Sequence, residues 1–109
     1  MNGEIIAEEF LKNKNYKIIC KNFYTRRGEI DIIAQKDNFI IFIEVKTRSN
    51  LKYGTPSMAV NWTKLQHMKT SAKIFLALNR FYKYDIRFDV IEVFYKKGKY
   101  KINHIKQVV

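Results

Sequence analysis

The sequence predicts an α/β fold, a mixed central sheet flanked by helices, in the order α-β-β-β-α-β-β. Three observations carry that expectation. Runs rich in Ile, Val, Phe and Tyr, bounded by turn residues, occupy 16–23, 28–48, 86–94 and 100–105. Apolar residues at helical spacing occupy the first fourteen positions and the stretch 58–79. The second helix falls between strands three and four, so helices pack on a mixed sheet rather than forming a layer of their own.

In chain order, Asn2 is an N-cap and Glu4 occupies the first helical turn, where a negative charge suits the dipole. Ile6, Ala7, Phe10, Leu11 and Lys14 make one stripe. Glu4 projects beside Leu11 on its border, while Glu8 and Glu9 turn toward solvent. The strand at 16–23 leads through the basic turn Tyr24-Thr25-Arg26-Arg27-Gly28 into a hairpin over 28–48, GEIDIIAQKDNFIIFIEVKTR, which turns at Lys36-Asp37-Asn38. After Arg48 the loop SNLKYGTPS, with Gly54 and Pro56, is the longest connection. Leu65, Met68, Ala72, Phe75, Leu76 and Asn79 form the core stripe of the helix at 58–79. A strand at 86–94, a turn at Lys96-Lys97-Gly98-Lys99 and an edge strand at 100–105 complete the chain.

The hairpin carries the chemistry. Alternation places Glu29, Asp31 and Ile33 on one face of its first strand, and Ile30, Ile32 and Ala34 on the other. In its second strand Ile40, Phe42, Glu44 and Lys46 share a face. A turn centred near Asp37 brings Asp31 close to Glu44, so two carboxylates and an ammonium meet at the open end of an apolar hairpin. Cross-strand ion pairs on a solvated strand end explain the same pattern, although such pairs are worth only roughly 0–1 kcal/mol.

Composition narrows the class. The 109 residues, 47% hydrophobic and 15% aromatic, suit a single globular domain over residues 1–109. A formal net charge of +11 and a pI near 9.8 favour a polyanionic partner, nucleic acid before an anionic membrane surface. A lone Cys20 excludes an intramolecular disulfide and a multi-cysteine zinc site, in keeping with a reducing cytoplasm. No apolar run reaches membrane-span length, and the N-terminus has no signal-peptide apolar region.

These residues resemble the YraN family of small bacterial proteins over nearly the whole chain. The resemblance is carried by Gly3-Glu4 through Phe10-Leu11, GEIDIIA, IEVKTR, Gly54 with Pro56, Lys64 spaced from Met68, Ala72, Phe75 and Leu76, and RFDV at 87–90. Asn15 stands where the pattern often has glycine, and Ile30 precedes Asp31 where the wider superfamily has proline. The family is similar to PD-(D/E)XK nucleases and, within them, to archaeal Holliday junction resolvases. The resemblance implies a restriction-endonuclease-like fold and an active-site set of Glu4, Asp31, Glu44 and Lys46. It also implies a nuclease acting on DNA, with branched structures among its substrates, and a homodimer.

Phosphodiester hydrolysis needs hydroxide, in-line geometry and charge neutralisation. Mg²⁺ or Mn²⁺ supplies much of this and takes hard oxygen ligands. Asp31 and Glu44, with the Val45 carbonyl, suffice for one ion; Glu4 adds a second site or orients water. Lys46 faces the attacking hydroxide or a phosphate oxygen, and Glu29 supports Asp31. Arg26, Arg27, Arg48, Lys52 and Lys64 are the candidate phosphate contacts. Without a cation the acids repel, so at least one of their pKa values should rise. Asp89 is expected to pair with Arg87 or another basic neighbour, His67 and His104 to be ordinary polar groups, and Trp62 and Tyr53 to pack at the core or rim rather than stack on a base. The alternative from another class is a nucleic-acid-binding module that keeps this fold and does not cut; a third is a basic scaffold for a protein partner.

Overall fold

The computed structural model describes residues 2–48, 62–81 and 83–108. Helix α1 spans Gly3–Asn13 and starts as expected, with the Asn2 side chain accepting the Glu4 and Ile5 N–H groups at 2.9 and 3.3 Å. It ends by turning left-handed at Asn15, φ 68. There the Tyr16 N–H bonds back to Leu11 O at 2.9 Å and the Asn15 N–H to Lys12 O at 3.0 Å. This arrangement places Tyr16 against Leu11 in the core. Asparagine tolerates the left-handed region better than most side chains, so the departure from glycine at this position costs little.

Strands β1 (Lys17–Thr25), β2 (Gly28–Lys36), β3 (Phe39–Arg48), β4 (Asp85–Lys96) and β5 (Lys99–Ile105) form one sheet in the order β1-β2-β3-β4-β5. Only the β3–β4 pair is parallel; the others are antiparallel, so the sheet is mixed as expected. The hairpin turns at Asp37, φ 52, and its register pairs Lys36 with Phe39. The second helix, α2, is described over Trp62–Asn79. Its expected first residues and the loop with Tyr53, Gly54 and Pro56 lie outside the described residues. Among the described residues no helix is long and apolar enough to cross a membrane.

The helices cover opposite faces. Under α1, Ala7 and Leu11 pack on Ile32, Ala34, Ile41, Ile43, Ile91 and Val93. Under α2, Ala72 and Phe75 pack on Ile30, Ile33, Ile40 and Phe42. The stripe read for α2 is buried at Leu65, Met68, Ala72 and Phe75, while Asn79 is exposed and donates to Phe75 O at 2.9 Å.

One element of the expected alternation is corrected. Ile30 does not share a face with Ile32 and Ala34; it packs under α2 with Ile33. The cause lies in β1, where Asn22 takes φ 54 in mid-strand. A left-handed residue reverses the pleat. Lys21 accordingly reaches Glu8 of α1 at 2.9 Å, whereas Phe23, two residues on, meets Phe75 of α2 edge-on at 5.2 Å. Their partners in β2, Ile32 and Ile30, divide in the same way. The reversal is centred on Asp31.

Candidate active site

The two central strands fork at Asp31. β2 and β3 pair from Lys36↔Phe39 to Ile32↔Ile43 and no further. Beyond that point β2 follows β1 to Gly28, and β3 follows β4 to Arg48. The Asp31 carboxylate bridges the fork, with Oδ2 accepting the Val45 backbone N–H at 2.8 Å. A side chain thus satisfies a donor that the ladder has released.

Asp31 gathers two further acids. Carboxylate oxygens of Glu4, Glu29 and Asp31 lie within 4.8 Å of one another. Glu4 arrives from the first turn of α1, and Gly3 sets how closely that helix end approaches β3. A Cβ at Gly3 would collide with Thr47 Oγ1, so only glycine allows this approach. Burial raises the Asp31 pKa to about 7; the Val45 N–H opposes the rise, and Glu29, Glu4 and Glu44 add to it. The rise expected from crowded acids is therefore present, and desolvation is its largest cause.

Glu44 stands outside this group of three. It is 4% exposed and turns to the α2 side. There Lys64 pairs with its Oε1, and Lys46 Nζ lies 3.8 Å from its Oε2. That separation is an ion pair but too long for a hydrogen bond, so the buried Oε2 has no hydrogen-bond partner. Of the expected set, the structure joins Glu4 to Asp31 and Lys46 to Glu44. Asp31 and Glu44 remain within electrostatic reach of each other across the fork. Glu29, read as a supporting residue, sits in the acid group itself.

The expected phosphate contacts divide. Arg26 and Arg27 are exposed in the turn before β2. Lys64 lies inside the site on Glu44, and Arg48 donates to Glu92 at 3.3 Å. Lys52 lies outside the described residues. Beside the acids opens a cleft of about 530 Å³, lined by Arg27, Gly28, Glu29, Trp62, Thr63, Lys64, His67 and Met68. Trp62, expected at the core or rim, is 70% exposed and lines this cleft.

Glu92 was not singled out from the sequence, yet it is fully buried and also accepts from Asn103 at 3.0 Å. Its signal was the one that marked Glu44, an acid within an apolar strand. Asp89 has the structural role expected of it. Arg87 binds it through Nε and Nη2, His104 Nε2 lies 2.7 Å from it, and the Gln107 N–H donates at 3.1 Å. Burial pushes the Asp89 pKa up, but these donors outweigh it and hold the carboxyl below its usual range.

Comparison with known proteins bears on the whole arrangement. The model of a family described as uncharacterised protein family UPF0102 matches residues 3–93. The chain belongs to the UPF0102 family, the YraN family. A UPF0102 protein of Alkaliphilus oremlandii is 49% identical over 106 residues, covering 95% of this chain and 91% of its own length. Another, of Caldicellulosiruptor bescii, is 49% identical over 107 residues, covering 95% and 90%. A third, of Syntrophomonas wolfei, is 42% identical over 103 residues, covering 94% and 90%. Glu4, Asp31, Glu44 and Lys46 all fall within the residues matched to UPF0102, and the restriction-endonuclease-like order of elements holds in this member.

Proposed function

We propose that this protein is a metal-dependent nuclease that hydrolyses DNA phosphodiester bonds. The observation that carries the reading is the acid group at the fork: Glu4, Glu29 and Asp31 converge there, Asp31 with a raised pKa, and Glu44, within electrostatic reach, keeps a buried oxygen without a hydrogen-bond partner. A cluster kept for structure alone would satisfy its buried acceptors and neutralise its charges, as Asp89 does. The donor set fits a divalent cation, being made of the hard carboxylate oxygens of Glu4, Glu29 and Asp31 within 4.8 Å of one another. Asp31, Glu4 and Glu29 would hold it, with Glu44 across the fork. Bound Mg²⁺ or Mn²⁺ supplies charge neutralisation at the phosphate and acidifies water.

The chain's own residues do the rest. Arg26 and Arg27 draw the backbone to the cleft without reading bases. Lys46, beside Glu44, offers its ammonium to a phosphate oxygen or to the attacking hydroxide. The Val45 N–H fixes the Asp31 carboxylate, and Gly3 keeps Glu4 within reach of it. Lys64, paired with Glu44, lines the cleft and adds positive charge to it.

The test is a cleavage panel of linear, single-stranded, flapped and four-way-junction DNA in Mg²⁺ or Mn²⁺, with Asp31→Asn and Glu44→Gln as controls. Cleavage lost in both variants supports the reading. A wild-type protein that binds these DNAs and cuts none of them is instead the non-cleaving binding module.

A further inference from the structure

The cleft beside the acid group is lined by the one tryptophan of the chain. Trp62 is 70% exposed there, although a large aromatic ring is the side chain a small core gains most from burying. Lone apolar residues on a surface are ordinary and call for no explanation. Trp62 is set apart by its company. Glu29 belongs both to the acid group and to the wall of the cleft, so the cleft opens directly onto the acids. Arg27 and Lys64 line it with positive charge, and the buried Met68 adds apolar surface.

Lys64 is paired with Glu44, whereas the exposed Arg27 guanidinium has no carboxylate partner among the described residues. Lys69 lies over the Trp62 ring, 5.9 Å from its centroid, and is not among the residues lining the cleft. A cation on the ring steadies its orientation, and the ring surface that lines the cleft is left to a ligand. The cleft's 530 Å³ falls within the roughly 300–1,000 Å³ of sites that enclose a small organic group. An exposed ring beside a guanidinium matches an aromatic base that carries a phosphate. The ring stacks on any base, because every base has a π-face, and the guanidinium holds the phosphate. A base inside a duplex has both faces covered by its neighbours, so only a base outside the stack can use the ring.

We infer that the cleft is a subsite for an unpaired nucleotide, whose base stacks on Trp62 and whose phosphate is held by Arg27. On the nuclease reading, the substrate is then a strand with an unpaired nucleotide beside the bond that is cut, and not continuous duplex. Only that consequence rests on the nuclease reading; the subsite itself does not.

Because the chain has a single tryptophan, its fluorescence reports on this ring alone. Titrating the full chain in EDTA with a single-stranded oligonucleotide should quench the emission to saturation, and the same sequence in a blunt duplex should quench it far less. Anisotropy of the labelled single strand across a salt series reads the affinity. Trp62→Ala should weaken binding about 5- to 150-fold, while Trp62→Phe keeps most of the affinity. Arg27→Ala should flatten the log–log salt slope by about 0.7. Unchanged melting temperatures show that the variants fold. Emission that the single strand leaves unchanged, a Trp62→Ala protein that binds as well as wild type, or equal quenching by the duplex overturns the inference. So does a Trp62→Ala protein that changes the mass by light scattering but not the affinity, which would make the ring a contact between copies. Quenching by a protein that cuts nothing with metal refutes the nuclease reading and leaves the subsite standing.

Discussion

Asp31→Asn removes one charge from the acid group at nearly constant shape, and its amide oxygen can still accept the Val45 N–H. The Asp31 carboxyl titrates near 3.8 when unperturbed and near 7 in the fold. Because the folded value is the higher one, the group's stabilising contribution is complete below about pH 3.8 and gone above about pH 7. The gap of about three pH units corresponds to about 4 kcal/mol. Partial exposure of Asp31 screens its interactions, which reduces this to roughly 2 kcal/mol. In EDTA, wild type should therefore lose that much stability relative to Asp31→Asn between pH 4 and pH 8, leaving the variant as stable or more so at pH 8. Thermal melts across this range check it, with about 4–8 °C expected per kcal/mol for a domain of this size. Added Mg²⁺ or Mn²⁺ at ten times Kd should restore about 1.4 kcal/mol to wild type and little to the variant. A variant destabilised equally at both pH values, with no metal shift in wild type, would falsify the site assignment.

Further outcomes follow from other parts of the molecule. Glu4→Gln should lower the Asp31 midpoint from about 7, yet leave it above 3.8 because burial remains; an NMR titration of the carboxyl carbon reads this directly. Gly3→Ala should cost about 1–3 kcal/mol in chemical denaturation by pushing α1 off Thr47, and Thr47→Ala in the same chain should recover part of it. Asp89→Asn breaks a buried charge cluster and should cost about 3–5 kcal/mol, while cleavage by the folded fraction stays unchanged. Stability held by Asp89 should fade in acid, as pH drops through its depressed folded pKa; an acid titration followed by circular dichroism would show whether Asp89→Asn removes that step.

Much of this was written locally. Asn2 capped α1 because its side chain reaches two N–H groups of its own first turn. The hairpin register followed from the turn at Asp37, and it runs up to Ile32↔Ile43, one residue short of Asp31 and Glu44. Period and turn chemistry act over a few residues, so they can be read from the chain alone. Partner choice across the sheet could not be. Glu29 and Asp31 meet Glu4 where the pleat reverses, and that reversal is centred on a left-handed asparagine in the neighbouring strand. Lys64 and Arg48, read as contacts for phosphate, also answer buried acids on β3 and β4, which the sequence did not show. A carboxylate forced into low dielectric takes the nearest cation, and only the packed fold determines which cation is nearest.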